Sequence, residues 1–279
     1  MILGAHVRRR GHGIEGAVEE ARLRDADCVQ VFVSNPRAWA PPRYDEAEAE
    51  RFRSALSSSG IDPCVAHMSY IGNIAAWNDD FLSRTRELVL ATVRTCDALG
   101  VRFLVVHTGA GGPQGREAAL RAAADSYRLA VAEADRVTVL AELMAGTTGA
   151  VASLPREAEE LLAAVDDDRL GIVVDTAHLF AADVPIDDPA GVEALSHEMH
   201  ARGLAARLGL VHANDAEFER GSRRDRHANI GDGLIGEPGW RALATDPLLG
   251  RVPWILETPG DAARQRADIA RLRTFAPPD

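Results

Sequence analysis

The chain has 279 residues, 46% of them hydrophobic and 26% charged, with 24 glycines, 14 prolines and three cysteines. These proportions belong to a soluble globular protein and exclude collagen-like, intrinsically disordered and disulfide-scaffold classes. The formal net charge is −11, and all 31 basic residues are arginine, which excludes lysine Schiff-base chemistry and a P-loop lysine. The N-terminus, MILGAHVRRRGHG, places a very short apolar run ahead of its charges, the reverse of a signal peptide. No run reaches the roughly 20 apolar residues of a membrane helix, so a cytoplasmic protein without membrane contact is expected.

Short apolar segments recur at 2–5, 28–33, 64–66, 103–106, 137–141, 171–174, 208–211 and 252–256, each followed by a longer amphipathic stretch. Most lack strict alternation, as strands covered on both faces do. Helical patterns rich in Ala, Leu, Arg and Glu lie between them, for example at 46–56, 81–99, 116–134 and 191–204. Gly60, Gly100 and Gly209 fall where a helix should stop before the next strand. Eight strands alternating with helices predict a single (β/α)8 TIM barrel spanning 1–279 as one domain. An open doubly wound sheet is disfavoured because no GxGxxG follows a strand. Segments 35–43 and 109–115 read as strand-to-helix loops. The longest irregular segment, 214–238, holds GSRRDRH and GDGLIGEPG and reads as a functional loop. Cys28, Cys64 and Cys96 form no CxxC and read as buried, inert thiols in a reducing compartment.

The residues that end the strands carry the chemistry. Strands three to eight end in His67, His107, Glu142, Asp175, His212 and Glu257. That end of a barrel is where such folds place their active sites. Singly, a carboxylate after a strand commonly caps a helix, and a lone histidine commonly packs as a hydrogen-bonded core residue. Six in register converge on one axis, where so many carboxylates and imidazoles are costly without cations. Asp175 opens DTAH, so His178 looks back into the same pocket from the first helical turn. Asp225 and His227 form DRH, an i, i+2 pair that an extended loop points to one side; alone it would read as a solvated pair. These nine N/O donors, without a thiolate, suit Zn²⁺ or Mn²⁺ in a cluster, because one Zn²⁺ takes about four ligands.

With SNPRAW (34–39), AHMSYIGNI (66–74), VVHTG (105–109), VVDTAHLFAAD (173–183) and LVHANDAEFERGSRRDRHANIGDGLIG (210–236), the chain resembles the endonuclease IV family of apurinic/apyrimidinic (AP) endonucleases. The resemblance runs from GAHV (4–7) to LETP (256–259). It implies a TIM barrel with three zinc ions per chain, Mn²⁺ being able to replace zinc at one site. One ion would sit on His67, His107 and Glu142. A second would share Glu142 and add Asp175, His212 and Glu257, and the third would be held by His178, Asp225 and His227. Paired divalent ions clamp a phosphate and activate water without a lysine or serine nucleophile. Glu142 would be the catalytic bridge, and Glu257 would orient the attacking water as well as bind metal.

The implied reaction cleaves duplex DNA 5′ to an abasic site in base excision repair, leaving a 3′-hydroxyl and a 5′-deoxyribose phosphate. The same site would trim blocked 3′ ends, and a monomer is expected. Arg37, Tyr70 and Ile71 match family positions that enter the duplex from the minor groove, and Asn73 matches another position near the DNA. An abasic nucleotide is cheap to extrude, and an aromatic or apolar wedge with an arginine suits the gap it leaves. Phosphate contacts are expected from Arg8, Arg9, Arg10, Arg223, Arg224 and Arg226. His6 would support the site by hydrogen bonding, whereas His12, His197 and His200 read as structural or exposed.

Two departures stand out. LMAG follows Glu142, where the family has a polar Asn-Thr pair before Ala-Gly, so Leu143 and Met144 remove hydrogen-bonding groups beside the bridging carboxylate. The first loop carries RRRGHG in place of small residues. The rival enzyme reading is a xylose-isomerase-like sugar isomerase or epimerase with one or two divalent metals. Such a site has no call for His67, His107, His178 and the DRH loop as ligands. A damage-binding protein without turnover is the non-enzyme reading.

Overall fold

Eight parallel strands close into a barrel in this computed structural model, which describes residues 1–8 and 13–276. In chain order the strands are β1 (Leu3–His6), β2 (Cys28–Val31), β3 (Cys64–His67), β4 (Phe103–His107), β5 (Thr138–Glu142), β6 (Gly171–Asp175) and β7 (Leu208–His212). After β7 come two short strands outside the barrel, β8 (Asp215–Ala216) and β9 (His227–Ala228), and then β10 (Trp254–Leu256). The circuit runs β1-β10-β7-β6-β5-β4-β3-β2 and back to β1. The predicted (β/α)8 barrel is therefore the observed fold. Arg9, Arg10 and His12 lie outside the described residues.

The strands reach one residue beyond several of the predicted runs, so that His67, His107, Glu142, Asp175 and His212 are final strand residues, whereas Glu257, expected to end the eighth barrel strand, stands one residue past β10. The helices form an outer ring that begins at expected signals. Asp45 and Glu48 make a reciprocal capping box at α2 (Glu46–Ser59), and the Asn78 side chain accepts the Phe81 N–H at the start of α3 (Asp79–Leu99). Gly60 and Gly100 end these helices with φ of 75° and 69°. Gly209 is different: it lies inside β7, where a Cβ would meet Leu140 Cδ2 at 2.8 Å. The preceding helix, α7 (Pro189–Ala201), stops earlier, and Gly203 at φ 70° makes the turn. The 214–238 segment is also more ordered than its composition predicts, because β8 and β9 pair antiparallel within it.

Strand side chains alternate between the barrel interior and the helical ring. Cys28, Val65, Val105, Leu140, Val173, Leu210 and Ile255 make one apolar interior layer, a residue from each barrel strand except β1. At the same level β1 supplies Gly4, whose Cβ would stand 2.2 Å from the Cys28 carbonyl oxygen. Two residues further along each strand the interior position is polar: His6, Gln30, His67, His107, Glu142, Asp175, His212 and Glu257. The apolar layer is thus a floor and the polar layer stands directly above it. Cys28, Cys64 and Cys96 are buried and unpaired, and burial pushes the Cys64 thiol up to about 12. No described helix is long and apolar enough to cross a membrane.

Gly4→Ala should crowd this floor against main chain that cannot step aside. A loss of about 1–3 kcal/mol or more, read from urea unfolding, is expected.

Candidate metal centre

The polar layer begins with strand ends and is completed by two local devices. Asp175 ends β6 and caps α6 (Thr176–Ala181): its Oδ1 accepts the His178 N–H at 3.0 Å, which holds His178 over the barrel mouth. The second device is the β8–β9 ribbon, whose register sets Ala216 opposite His227. Asp215 fastens it. Its buried carboxylate accepts the N–H groups of Ala216, Gly231 and Ile235 and the indole N–H of Trp240, at 2.8–3.1 Å. The DRH segment is thereby bent back onto the barrel.

All nine predicted donors meet in one cavity, as three groups that share members. In the first group, Glu142 Oε2 is 3.0 Å from His67 Nε2 and 3.3 Å from His107 Nε2. The second surrounds His212 Nδ1, with Glu142 Oε1 at 2.9 Å, Glu257 Oε2 at 3.6 Å and Asp175 Oδ2 at 4.0 Å. The third sets Asp225 oxygens 3.3 Å from His178 Nε2 and 3.2 Å from His227 Nε2. Asp175 Oδ2 also stands 3.6 Å from His227 Nε2, so Asp175 reaches the second and third groups just as Glu142 reaches the first and second.

The donor chemistry fits divalent cations. Imidazole and carboxylate are borderline and hard donors, and no thiolate is near. In three histidines one nitrogen faces an acceptor outside the cluster: His67 Nδ1 the Met68 carbonyl at 2.7 Å, His178 Nδ1 the Leu143 carbonyl at 2.8 Å, and His212 Nε2 the Gln30 Oε1 at 2.9 Å. The proton on that nitrogen leaves the other as a lone pair aimed inward, the arrangement of metal-binding histidines. His227 Nε2 is buried and makes no hydrogen bond, although two carboxylates lie within 4 Å of it. Among the described residues no arginine pairs with Glu142, Asp175, Asp225 or Glu257.

Electrostatics follow from that crowding. Burial works against the Glu142 carboxylate, but the His212 and His107 imidazoles pull it well below the usual range. Glu257 is lowered in the same way, with His212 the main counterweight to burial. Burial also opposes the His212 and His227 imidazoliums. The Glu257 and Glu142 carboxylates raise His212 to about 9, and Asp175 with Asp225 raises His227 to about 9.

The expected DNA-facing residues divide by burial. Tyr70 is 54% exposed at the rim, with its ring 5.1 Å from Phe32 and 5.2 Å from His67. Arg37 is exposed and lines a cavity of about 540 Å³ together with Arg8, Phe32 and Tyr70. Arg223, Arg224 and Arg226 are exposed on the DRH loop, and the Arg224 guanidinium lies 3.4 Å over the Phe218 ring. Ile71 is half-buried against the core. Asn73 turns its amide to protein: Nδ2 donates to the Ala110 carbonyl at 2.7 Å, and Oδ1 accepts the Ala75 and Ala110 N–H groups. Asn73 thus ties the β3–α3 loop to the loop that follows β4.

His6 meets Glu257 Oε1 through Nδ1 at 3.2 Å, the supporting contact expected of it. His197 and His200 are exposed on α7. Gln30, Asn214 and Asp215 also serve the site, although none of them ends an apolar run in the sequence. Asn214 links two donors, its Nδ2 donating to Asp175 Oδ2 at 2.7 Å and its Oδ1 accepting the Glu257 N–H at 2.8 Å.

Residues 18–275 match the family described as xylose isomerase-like TIM barrels. A "Probable endonuclease 4" from Methanoculleus marisnigri is 35% identical over 99% of this chain and 99% of its own length. One from Methanosphaerula palustris is 34% identical over 99% and 98%. The chain belongs to the endonuclease IV family. The crystal structure of endonuclease IV from Thermus thermophilus superposes with a TM-score of 0.87 at 30% identity, covering 99% of this chain and 98% of that one. Membership in the endonuclease IV family makes the protein a nuclease. The Escherichia coli 3-keto-D-glucoside 4-epimerase, with a TM-score of 0.72 and 16% identity, shares the barrel alone.

Two outcomes are expected. Asp215→Ala strands four donors and should cost about 3 kcal/mol, with new tryptic cleavage at Arg223, Arg224 or Arg226; an unchanged digestion pattern would contradict the fastening role. Zinc binding near neutral pH should release protons, since His212 and His227 hold theirs until about pH 9. Apparent affinity should then climb with pH toward that value and level off. Titration calorimetry in two buffers of different ionisation enthalpy measures this, and equal heats would refute it.

Proposed function

We propose that the protein is an AP endonuclease that hydrolyses the phosphodiester 5′ to abasic sites in duplex DNA, with 3′-hydroxyl and 5′-deoxyribose phosphate products. The same site would trim blocked 3′ ends in base excision repair, in the cytoplasm, as a monomer. The observation that supports this best is the set of three donor groups joined through Glu142 and Asp175, which exceeds what a one-ion or two-ion sugar isomerase requires. In this reading His67, His107 and Glu142 hold one zinc, Glu142, Asp175, His212 and Glu257 the second, and His178, Asp225 and His227 the third, where Mn²⁺ can replace zinc at one position. When bound, such ions supply Lewis acidity toward phosphoryl oxygens and toward water.

The chain's own residues do the rest. Glu257 is held by Gln30 Nε2 at 2.6 Å and by His6, with its side chain 11% exposed at the inner rim. In this reading Glu257 would orient the attacking water as well as bind metal. Tyr70, backed by Phe32, offers an aromatic face where an abasic gap leaves a stack broken, and Ile71 lies next to it. Arg37, Arg224 and Arg226 would engage phosphates on one face of an otherwise acidic protein, while Asn73 shapes that face by joining two of its loops.

The deciding experiment pairs elemental analysis with incision of a duplex carrying one abasic analogue. About three zinc per chain and a single nick 5′ to the lesion are expected; one or two ions without nicking would return the protein to the sugar-enzyme reading. Partners outside the coordination sphere cost about 10–100-fold when removed, so Glu142→Ala, which deletes a shared ligand, should lose more than that in turnover. Near-wild-type turnover would contradict the shared assignment. Tyr70→Ala should weaken abasic-duplex binding by the equivalent of one aromatic–base stack, about 1–3 kcal/mol, with zinc content unchanged. Loss of metal would make Tyr70 structural instead.

A further inference from the structure

Gln30 is completely buried in β2, and its side chain makes three polar contacts, two with donors of the cluster and one with the supporting His6. Its Nε2 lies 2.6 Å from Glu257 Oε1 and 2.9 Å from His6 Nδ1, and its Oε1 lies 2.9 Å from His212 Nε2. The amide has only one workable orientation. Reversed, it would press its oxygen against the Glu257 carboxylate and turn its NH₂ toward His212. With the oxygen toward His212, Nε2 of that ring must carry the hydrogen. The lone pair is then on Nδ1, the atom that faces Glu142, Glu257 and Asp175. One side chain therefore sets the tautomer of His212 and fixes one oxygen of Glu257, leaving Glu257 Oε2 for the cavity.

We infer that Gln30 is a positioning residue for the middle cation, orienting His212 and Glu257 together as ligands without touching the ion. This rests on the metal reading proposed above. Its effect is local: the donor groups on His67 with His107 and on His178 with His227 have their own acceptors, the carbonyls of Met68 and Leu143, and do not use Gln30.

The test compares wild-type protein with Gln30→Met and Gln30→Leu, full chain and zinc-loaded, against a graded series of chelator concentrations. One zinc per chain should leave the variants at about 10–100-fold lower chelator concentration, while the other ions leave at the wild-type concentration. Release of every ion at the wild-type concentration overturns the proposal, and so does an equal shift for all of them, which a merely structural role would produce. Should both variants fail to fold, long-range ¹H–¹⁵N spectra of zinc-loaded wild-type protein still decide. His212 protonated at Nε2 upholds the role of Gln30, and His212 protonated at Nδ1 overturns it. Wild-type protein that binds no zinc overturns the metal reading itself and the role of Gln30 with it, whereas normal wild-type retention with unaltered variants overturns only the latter.

Discussion

Four carboxylates and five imidazoles share one cavity, and no arginine in the described structure pairs with any of the carboxylates. Burying that many acceptors is expensive unless positive charge sits among them. Protons on the imidazoles provide part of it, as the raised His212 and His227 show. Divalent cations would answer the same need, because the donor atoms of each group lie within 4.8 Å of one another. The barrel makes the crowding possible. A strand repeats its facing every second residue, so an apolar floor at one level forces the next inward level on all eight strands into register.

The donors on strand ends are legible in the sequence because a His, Asp or Glu closing an apolar run is conspicuous, and six such closures leave little room for coincidence. Gln30 is not legible in the same way. The run at 28–33 continues past it with Val31, Phe32 and Val33, so it reads as an interior residue and not as a terminus. The pattern that would find it is positional: an inward polar residue two places after Cys28, as His67 follows Val65 and His212 follows Leu210. Asp215 is hidden for another reason, since its partners at Gly231, Ile235 and Trp240 become neighbours only when the loop folds. Gly209 shows the opposite error. A glycine after a helical pattern suggests a cap, but here the missing side chain makes room for Leu140 within the sheet. Asn73 and Ile71 sit in a motif that suggests contact with DNA, yet both also carry structural work that no motif reveals.

The substitution after Glu142 matters less in three dimensions than its position in the sequence suggests. Leu143 buries its side chain in the core and gives its carbonyl to His178 Nδ1, a contact that any residue's backbone could make. Met144 lines a cavity of about 200 Å³ beside His107, Tyr70 and Asn73. The polar support around the cluster comes from elsewhere, chiefly the amides of Gln30 and Asn214, which between them reach Glu257, His212 and Asp175. That support comes from β2 and from the segment after β7, neither of which borders β5.

The third donor group differs from the other two in that His178, Asp225 and His227 all lie outside the barrel strands. His178 belongs to the first turn after β6, whereas His227 rides on a ribbon of two residues per strand and Asp225 lies two residues before it. Any ion seated there is a cross-link closing a ring of about 50 residues, and ring closure of that size costs conformational entropy that grows only slowly with length. An ion seated there would therefore act as a staple between the barrel and a loop that Asp215 already folds back, so the local stability of this stretch would rise with bound metal.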